Sequence, residues 1–433
     1  MAKRKIFVAM LLIATLLIVG GPTIKIKAAE QNPGAMTTLR GGNLEWSLKK
    51  DWLPMMQKLA TGKAPGDKYT WTFEKSPLYA EAEDWLEAES LLYETRWALE
   101  EPLTLLDRVG GSPNGFFTVS RLYTGTKVEK IGAAYRAALV EYGVKEWTTP
   151  YGAPCSRAKA LGFYNQCQKK IGMVVKKLKA ARYKGKTLTK ALKFKFIHDW
   201  LIASMNYDYK GLAKAEADPF GTFEKFQYLR NEFGPMVDGK AVCQGIAYAF
   251  KAICDDYNRR SSDKLVCDIA KDDEHSWNRV KINGQWYVID VTFDERGKKD
   301  FVKKSTATDN FLVSDYEHGR IYYETCSGEK AKAKSTKYEG RTWPTFKKSL
   351  KECTVSLKYP NKVYKYKGKQ VIPEVVVRYG KNVIPSVAYK VVRTGHKKTG
   401  VATFKVVPSK NCRLLKGSLA GPSFKIKKVK VKK

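Results

Sequence analysis

Residues 275–290 read His275-Ser276-Trp277-Asn278-Arg279-Val280-Lys281-Ile282-Asn283-Gly284-Gln285-Trp286-Tyr287-Val288-Ile289-Asp290. Asn283-Gly284 between two runs of alternating apolar residues signals a β-hairpin closed by a two-residue type I′ turn, because both turn positions need positive φ. With that turn, Ile282 pairs with Gln285, Trp277 with Asp290 and His275 with Thr292. Side chains alternate across a strand, so Val280, Ile282, Tyr287, Ile289 and Val291 share the core face. His275 and Asp290 fall on the other face as diagonal neighbours, within reach of a side-chain hydrogen bond. A one-residue slip would bury both among the apolar set, so the register is well specified.

Upstream, Asp238-Gly239-Lys240-Ala241-Val242-Cys243-Gln244-Gly245 leads into a helix, since Ile246, Ala247, Phe250, Ile253, Cys254 and Tyr257 recur at helical spacing. Gly239 lets the chain turn into that helix, and Gly245 permits close approach of another backbone or a substrate. A thiol at a helix N-terminus feels free N–H groups and the positive end of the dipole, which favours the thiolate. Cys243, His275 and Asp290 are therefore a candidate nucleophile, base and orienter. Asp290 would fix the tautomer of His275, and His275 would take the thiol proton. Backbone N–H groups at the helix start, that of Cys243 included, would hold an oxyanion. The constellation points to acyl transfer through a thioester. Singly, each residue has a plain structural explanation: an inert core thiol, a surface imidazole, a carboxylate capping a strand. No ligand spacing calls for a metal, only four His occur in the chain, and no Gly-rich phosphate loop is present, so no cofactor is expected. Cys254 reads as a core thiol. His198, beside the apolar stripe Phe194, Ile197, Leu201 and Met205, reads as structural.

The chain has 433 residues, 43% of them hydrophobic, enough for two or three domains. Lys and Arg outnumber Asp and Glu by 79 to 43, a formal charge of +36, and such a surface attracts polyanions. No nucleic-acid-binding motif accompanies it, so an anionic cell-wall polymer or lipid headgroups fit better than a specific nucleic acid. A solvated surface with no dedicated partner is the plainer reading. Residues 1–29 have the anatomy of a secretory signal peptide: Ala2-Lys3-Arg4-Lys5, an apolar run from Ile6 to Val19, and Lys27-Ala28-Ala29 for cleavage. The apolar run is short for a membrane span. A secreted, extracellular or wall-associated chain is expected, with no stable span once the signal is removed. Eight Cys then permit disulfides, with Cys155 and Cys167 near in sequence and Cys353 and Cys412 flanking the C-terminal segment.

Residues 30–190 read as a helical accessory region, with helical patterns over 80–106, 128–142 and 156–178. Residues 350–433 alternate Val, Lys and Tyr between turns and read as an all-β sandwich module. Its stretch Phe424–Val431 fits an edge strand whose Lys charges block further pairing. No triad residue comes from this module, so its removal is expected to leave thiol reactivity intact.

Three blocks carry a family resemblance: Gly239–Ala247, His275–Asn278 and Trp286–Asp294, flanked by Ile197-His198-Asp199 with Tyr207-Asp208 and by Phe311–Asp315. Over roughly 190–320 they resemble the core of the bacterial transglutaminase-like superfamily. The resemblance implies a papain-like α+β fold over 191–345, with Cys243 as nucleophile, His275 as base and Asp290 as orienter. It places Tyr207 about where animal transglutaminases carry an oxyanion-supporting Trp, so Cys243 and Tyr207 are the oxyanion candidates. Tyr366–Pro373 resembles bacterial immunoglobulin-like modules of secreted Gram-positive enzymes. The fold expected is a papain-like, transglutaminase-like core between a helical N-terminal region and a C-terminal immunoglobulin-like sandwich. The function implied is an exported thiol enzyme acting on amide bonds of a protein or peptide, by cross-linking, deamidation or hydrolysis. The alternative is a catalytically silent wall-associated binding protein that uses the same core as a scaffold.

Overall fold

The computed structural model describes residues 25–27, 36–38, 53–64, 66–89, 99, 119–217, 226–272, 274–295, 308–319, 324–325, 333–366, 370–394, 399–410, 412 and 414–428. The expected leader lies outside them apart from Lys25–Lys27. The N-terminal region is not the helical domain expected for 30–190. Its centre is an antiparallel sheet of β1 (Lys25–Lys27), β2 (Met36–Thr38), β3 (Lys68–Thr70), β4 (Tyr79–Ala82), β5 (Val119–Ile131) and β6 (Ala134–Trp147), in the order β2-β1-β4-β6-β3 with β5 on β6. Tyr135, Ala138, Leu139 and Tyr142 do recur at helical spacing, but Ala137 and Leu139 alternate as well as any strand. Gly132 at φ +64° closes the β5–β6 hairpin, and pairing of β6 with β3, β4 and β5 outweighs local propensity. The helix expected from residue 80 begins instead as β4; residues 85–89 are helical, and most of its remainder lies outside the described residues. Helix α1 (Leu53–Ala60) supplies Met56 and Leu59 to the core under this sheet.

Helix α2 (Arg157–Ala180), capped by the Ser156 hydroxyl accepting from Lys159 N–H, and the short hairpin β7 (Arg182–Tyr183) with β8 (Lys186–Thr187) lead into the central unit. This comprises α3 (Lys190–Ile202), β9 (Asn206–Tyr207), α4 (Tyr209–Glu216), α5 (Gln227–Arg230), β10 (Lys240–Ala241), α6 (Cys243–Arg259), β11 (Val266–Lys271), β12 (Ser276–Ile282), β13 (Gln285–Ile289), α7 (Val291–Asp294), β14 (Phe311–Val313), α8 (Asp315–His318) and β15 (Glu324–Thr325). The sheet is antiparallel in the order β14-β13-β12-β11-β15. Asn283 at φ +50° and Gly284 at φ +82° form the β12–β13 turn, and Ile282 pairs with Gln285 and Val280 with Tyr287. The ladder ends at Asn278 and Ile289. His275 therefore precedes β12 and Asp290 follows β13, so neither lies within the paired strands. Val280, Ile282, Tyr287 and Ile289 are buried in one cluster with Ile246, Phe250 and Ile253 of α6. Each such side chain contributes about 1.5–3 kcal/mol when fully buried. The opposite face is buried too, by Trp277, Val288, Val313 and Ala333.

The C-terminal region is all β: β16 (Lys348–Ser349), β17 (Thr354–Leu357), β18 (Tyr364–Tyr366), β19 (Val375–Tyr379), β20 (Asn382–Ile384), β21 (Tyr389–Arg393), β22 (Gly400–Ala402), β23 (Phe404–Pro408), β24 (Leu415–Lys416), β25 (Leu419–Ala420) and β26 (Phe424–Lys428). They form three three-stranded sheets, β17-β19-β20, β18-β26-β22 and β21-β23-β25, and the pair β16-β24. Two features differ from expectation. β26 is the middle strand of its sheet, parallel to β18 and antiparallel to β22, so its lysines do not guard an edge. The region also shares one hydrophobic cluster with the central unit, through Leu350, Val377, Ile384 and Phe404. Asn382 Nδ2 donates to the Ser204 carbonyl, Lys381 pairs with Asp238, and buried Lys348 bonds Ser204 Oγ with its Nζ 3.3 Å from the Tyr379 ring centroid. A Cβ on Gly239, itself at φ +68°, would collide with Asn382. The chain is thus mixed α and β, with an α+β central unit and a β-rich C-terminal region joined at the segment that precedes Cys243.

Candidate active site

Cys243 is the first residue of α6, and Val242, its N-cap, offers no capping side chain. The first-turn N–H groups are consequently left for other acceptors. The approach to this helix is tight. A Cβ on Gly245 would strike the Leu229 carbonyl, and Val242 N–H donates to that same carbonyl at 2.9 Å. Close packing at Gly245 is what presses the residue 229–231 backbone against the start of α6.

Half-buried Cys243 stands within hydrogen-bond reach of His275. His275 Nε2 lies 2.6 Å from Asp290 Oδ2, so Nε2 carries the hydrogen and Nδ1 is left for the sulfur. The imidazole is stacked on Phe293, with centroids 4.5 Å apart and planes within 8°, and flanked by Trp277 at 5.8 Å. Stacking on both rings fixes the imidazole plane. Asp290 Oδ1 accepts from Phe293 N–H at 3.0 Å, capping α7.

Burial opposes the Cys243 thiolate, yet the His275 hydrogen bond and charge, with the N–H groups of Ser276 and Gln244, outweigh it and lower the thiol pKa. Burial likewise opposes a charged His275, but Asp290 and the thiolate raise it to about 9. Asp290, despite full burial, is held at about 2 by hydrogen bonds from His275 and His318. The directions agree: the arrangement favours a thiolate–imidazolium pair over a carboxylate, titrating as one unit.

Tyr207, on β9, pairs across to Ala241 on the parallel strand β10. Its hydroxyl lies within hydrogen-bond reach of both the Cys243 N–H and the sulfur, and burial followed by the Cys243 charge pushes it up to about 12. Tyr207 and the Cys243 N–H thus both lie beside the sulfur. Arg230, partly buried on the segment pressed against α6, interacts electrostatically with Cys243, Glu216 and Tyr207.

Two residues at the site were missed from sequence. His318 Nε2 lies 3.0 Å from the same Asp290 Oδ2. Its buried Nδ1 has no hydrogen-bond partner among the described residues, so a proton there would be stranded and Nε2 is the donor to Asp290. Helix α8 carries it back over the sheet, between a Ser314 cap on Glu317 N–H and Gly319 at φ +71°. That Ser-to-Gly frame was readable as a short capped helix. Phe293, the other, sits in the quoted third block and carried no legible role. His198 has both ring nitrogens on carboxylates: Nδ1 lies 3.1 Å from Asp199 and Nε2 3.0 Å from Asp294, all fully buried, with Lys195 on Asp199.

All seven described cysteines are free thiols; Cys326 lies outside the described residues. Burial raises Cys155, Cys167, Cys254, Cys353 and Cys412, so Cys243 is the described thiol whose environment lowers it. Among the described residues no group of three or more His, Cys, Asp or Glu is placed to hold a metal ion, and no helix is long and apolar enough to cross a membrane.

No family model and no curated protein matches the sequence. Among solved structures the chain is similar to one described as a TGase, at 15% identity and TM-score 0.23, over 49% of this chain and 50% of that one. It is also similar to a Parabacteroides distasonis protein named provisionally as a protease, at 9% identity and TM-score 0.22, over 69% of this chain and 64% of that one. The chain thus spans half to just under two thirds of these relatives, and at such TM-scores the likeness carries no weight beside the geometry above.

Proposed function

We propose that the protein is a transglutaminase-like thiol enzyme that acts on amide bonds of protein or peptide substrates through a thioester on Cys243. The observation that carries this reading is the line of Cys243, His275 and Asp290, with a thiol pKa lowered where the other described shifts of thiols are upward. The thiolate attacks the amide carbonyl carbon, and the C=O electron pair moves to oxygen, facing the Cys243 N–H and the Tyr207 hydroxyl. His275 gives its proton to the departing nitrogen, the C–N bond breaks, and the thioester remains. An amine or water then attacks the thioester, His275 takes its proton, and the thiolate leaves. Amine attack gives cross-linking, whereas water gives hydrolysis or deamidation. Asp290 stabilises the imidazolium throughout. On the strength of residues 1–29 we place the enzyme outside the cell, secreted or held at the wall.

Iodoacetamide labelling of wild type against Cys243→Ala tests the nucleophile. Incorporation of a fluorescent primary amine into a Gln-containing protein, run beside cleavage of the same protein, then separates transfer from hydrolysis. A labelled Cys243 with neither reaction on a broad substrate panel would leave the silent scaffold as the better account.

A further inference from the structure

Residues 351–433 hold 22 Lys and Arg against two carboxylates, Glu352 and Glu374, and so carry more than half of the chain's charge of +36. Both carboxylates are already paired, Glu374 with Lys358 at 3.0 Å and Glu352 with Lys177 of α2. On the sheet β18-β26-β22, Tyr364, Ala402, Phe424 and Ile426 are buried, while Lys365, Lys425 and Lys427 are exposed. Lys365 is the direct register partner of Lys427, and Lys425 stands opposite Val401, itself 54% exposed.

Neighbouring strands lie about 4.8 Å apart and alternate residues along a strand about 6.6 Å apart. The three ammonium groups therefore crowd one face, with no carboxylate bonded to them among the described residues. Like charges directly opposite each other destabilise a sheet. Lysine on an edge strand would be explained by protection against pairing, but β26 is the middle strand, so that explanation fails for Lys425 and Lys427. An anion lying over the face removes the repulsion.

We infer that the outer face of β18-β26-β22 binds a linear, base-free phosphate polymer running along β26. The composition favours this occupant. Nineteen of the segment's 22 cations are Lys, which binds phosphate as a point charge and follows charge density rather than the geometry of a single group. The register partners of these lysines are Lys427, Lys365 and Val401, none of them the aromatic ring that stacking of nucleobases would need. Polymer binding here is independent of the thiol chemistry: it anchors the chain and makes no use of Cys243.

The test uses the full chain and fluorescein-labelled inorganic polyphosphate, with binding followed by anisotropy from low to physiological salt. Affinity should fall linearly in log–log form with salt, as counterion release requires. The triple variant Lys365→Gln, Lys425→Gln, Lys427→Gln should bind at least about tenfold more weakly, with the salt slope smaller by about two, three contacts at roughly 0.7 each. A matched triple on the central unit's side, Lys169→Gln, Lys176→Gln, Lys186→Gln, should change affinity less than about threefold. Lys→Arg at the three face positions should restore binding. Equal weakening by the two Gln triples would mean a diffuse field and overturn the inference, as would absence of binding at low salt. Tighter binding of oligo-dT or of anionic vesicles than of polyphosphate would overturn the choice of occupant.

Discussion

Two His–carboxylate centres lie on either side of α7, and they make opposite use of the same residue types. At one end of that helix Asp290 holds His275 by Nε2 alone, and the second nitrogen is left for a thiol. At the other end Asp294 and Asp199 take both nitrogens of His198, with Lys195 completing the buried group. A ring with both nitrogens on carboxylates is a cross-link, whereas a ring with one nitrogen uncommitted can move a proton. What separates His198 from His275 is that both of its nitrogens are committed to carboxylates, whereas the second nitrogen of His275 faces a thiol. The two centres are also coupled mechanically, because Asp290 caps and Asp294 ends the single turn of α7.

The largest effect that sharpens this contrast is removal of the thiol. Cys243→Ala should abolish turnover and the fast phase of iodoacetamide labelling near neutral pH, slowing overall alkylation by about a hundredfold. Mass spectrometry of the labelled peptides reads the site; fast labelling elsewhere would break the assignment. Next comes the buried centre. His198→Leu should cost about 3–5 kcal/mol of unfolding free energy in a denaturant melt, because it takes a hydrogen-bonding partner from two fully buried carboxylates. A cost below about 1 kcal/mol would show that the cross-link is dispensable.

Asp290→Asn should lower turnover by about tenfold to a thousandfold, since the amide cannot stabilise an imidazolium. Asn still caps α7, but it lacks the carboxylate charge whose pKa is held at about 2, so unfolding at pH 7 should be easier by about 2–3 kcal/mol. Wild-type turnover in that variant would mean His275 is oriented by something else. Smallest is His318→Leu, expected to slow turnover by about tenfold through a less firmly held Asp290. His318→Gln, whose amide N–H can replace Nε2–H, should recover part of the loss, and equal losses in the two would assign His318 to packing alone.

The pH dependence follows from the same groups. Turnover should fall as His275 loses its proton near pH 9, while alkylation of the thiolate should persist above it. For stability, His275 is raised from 6.5 to about 9. Its contribution is complete below 6.5 and lost as pH rises through about 9. Asp290 is depressed from 3.8 to about 2. Its contribution is complete above 3.8 and lost as pH falls through about 2. In Asp290→Asn the acidic loss should vanish and the alkaline one shrink, as a pH series of thermal melts would read.

The hairpin register was legible because Asn283-Gly284 and the alternation of Val280, Ile282, Tyr287 and Ile289 agree on one answer. It brings His275 and Asp290 to the same end of the hairpin, but their contact forms beyond the last paired residues and not between strands as counted. The β5–β6 hairpin was not, because the apolar residues between Tyr135 and Tyr142 satisfy both periods and its pairing partners are far away in the chain. The central position of β26 depends on strand order, which no local pattern encodes. His318 reaches Asp290 across the sheet from a four-residue helix, a long-range contact of the same kind. The buried setting of His198 followed from its stripe, but its two carboxylate partners did not.

The junction at Gly239 limits how the chain can be altered. A side chain at 239 would meet Asn382, and Asn382 in turn is bonded to Ser204, so substitutions at these three positions constrain one another across almost half the sequence. A β segment borrowed from another protein would arrive without the matching residue and would press on the loop that delivers the thiol. The C-terminal sheets are therefore no interchangeable cassette. A truncation before β16 should destabilise the central unit, through the shared hydrophobic cluster and the Gly239–Asn382–Ser204 contacts.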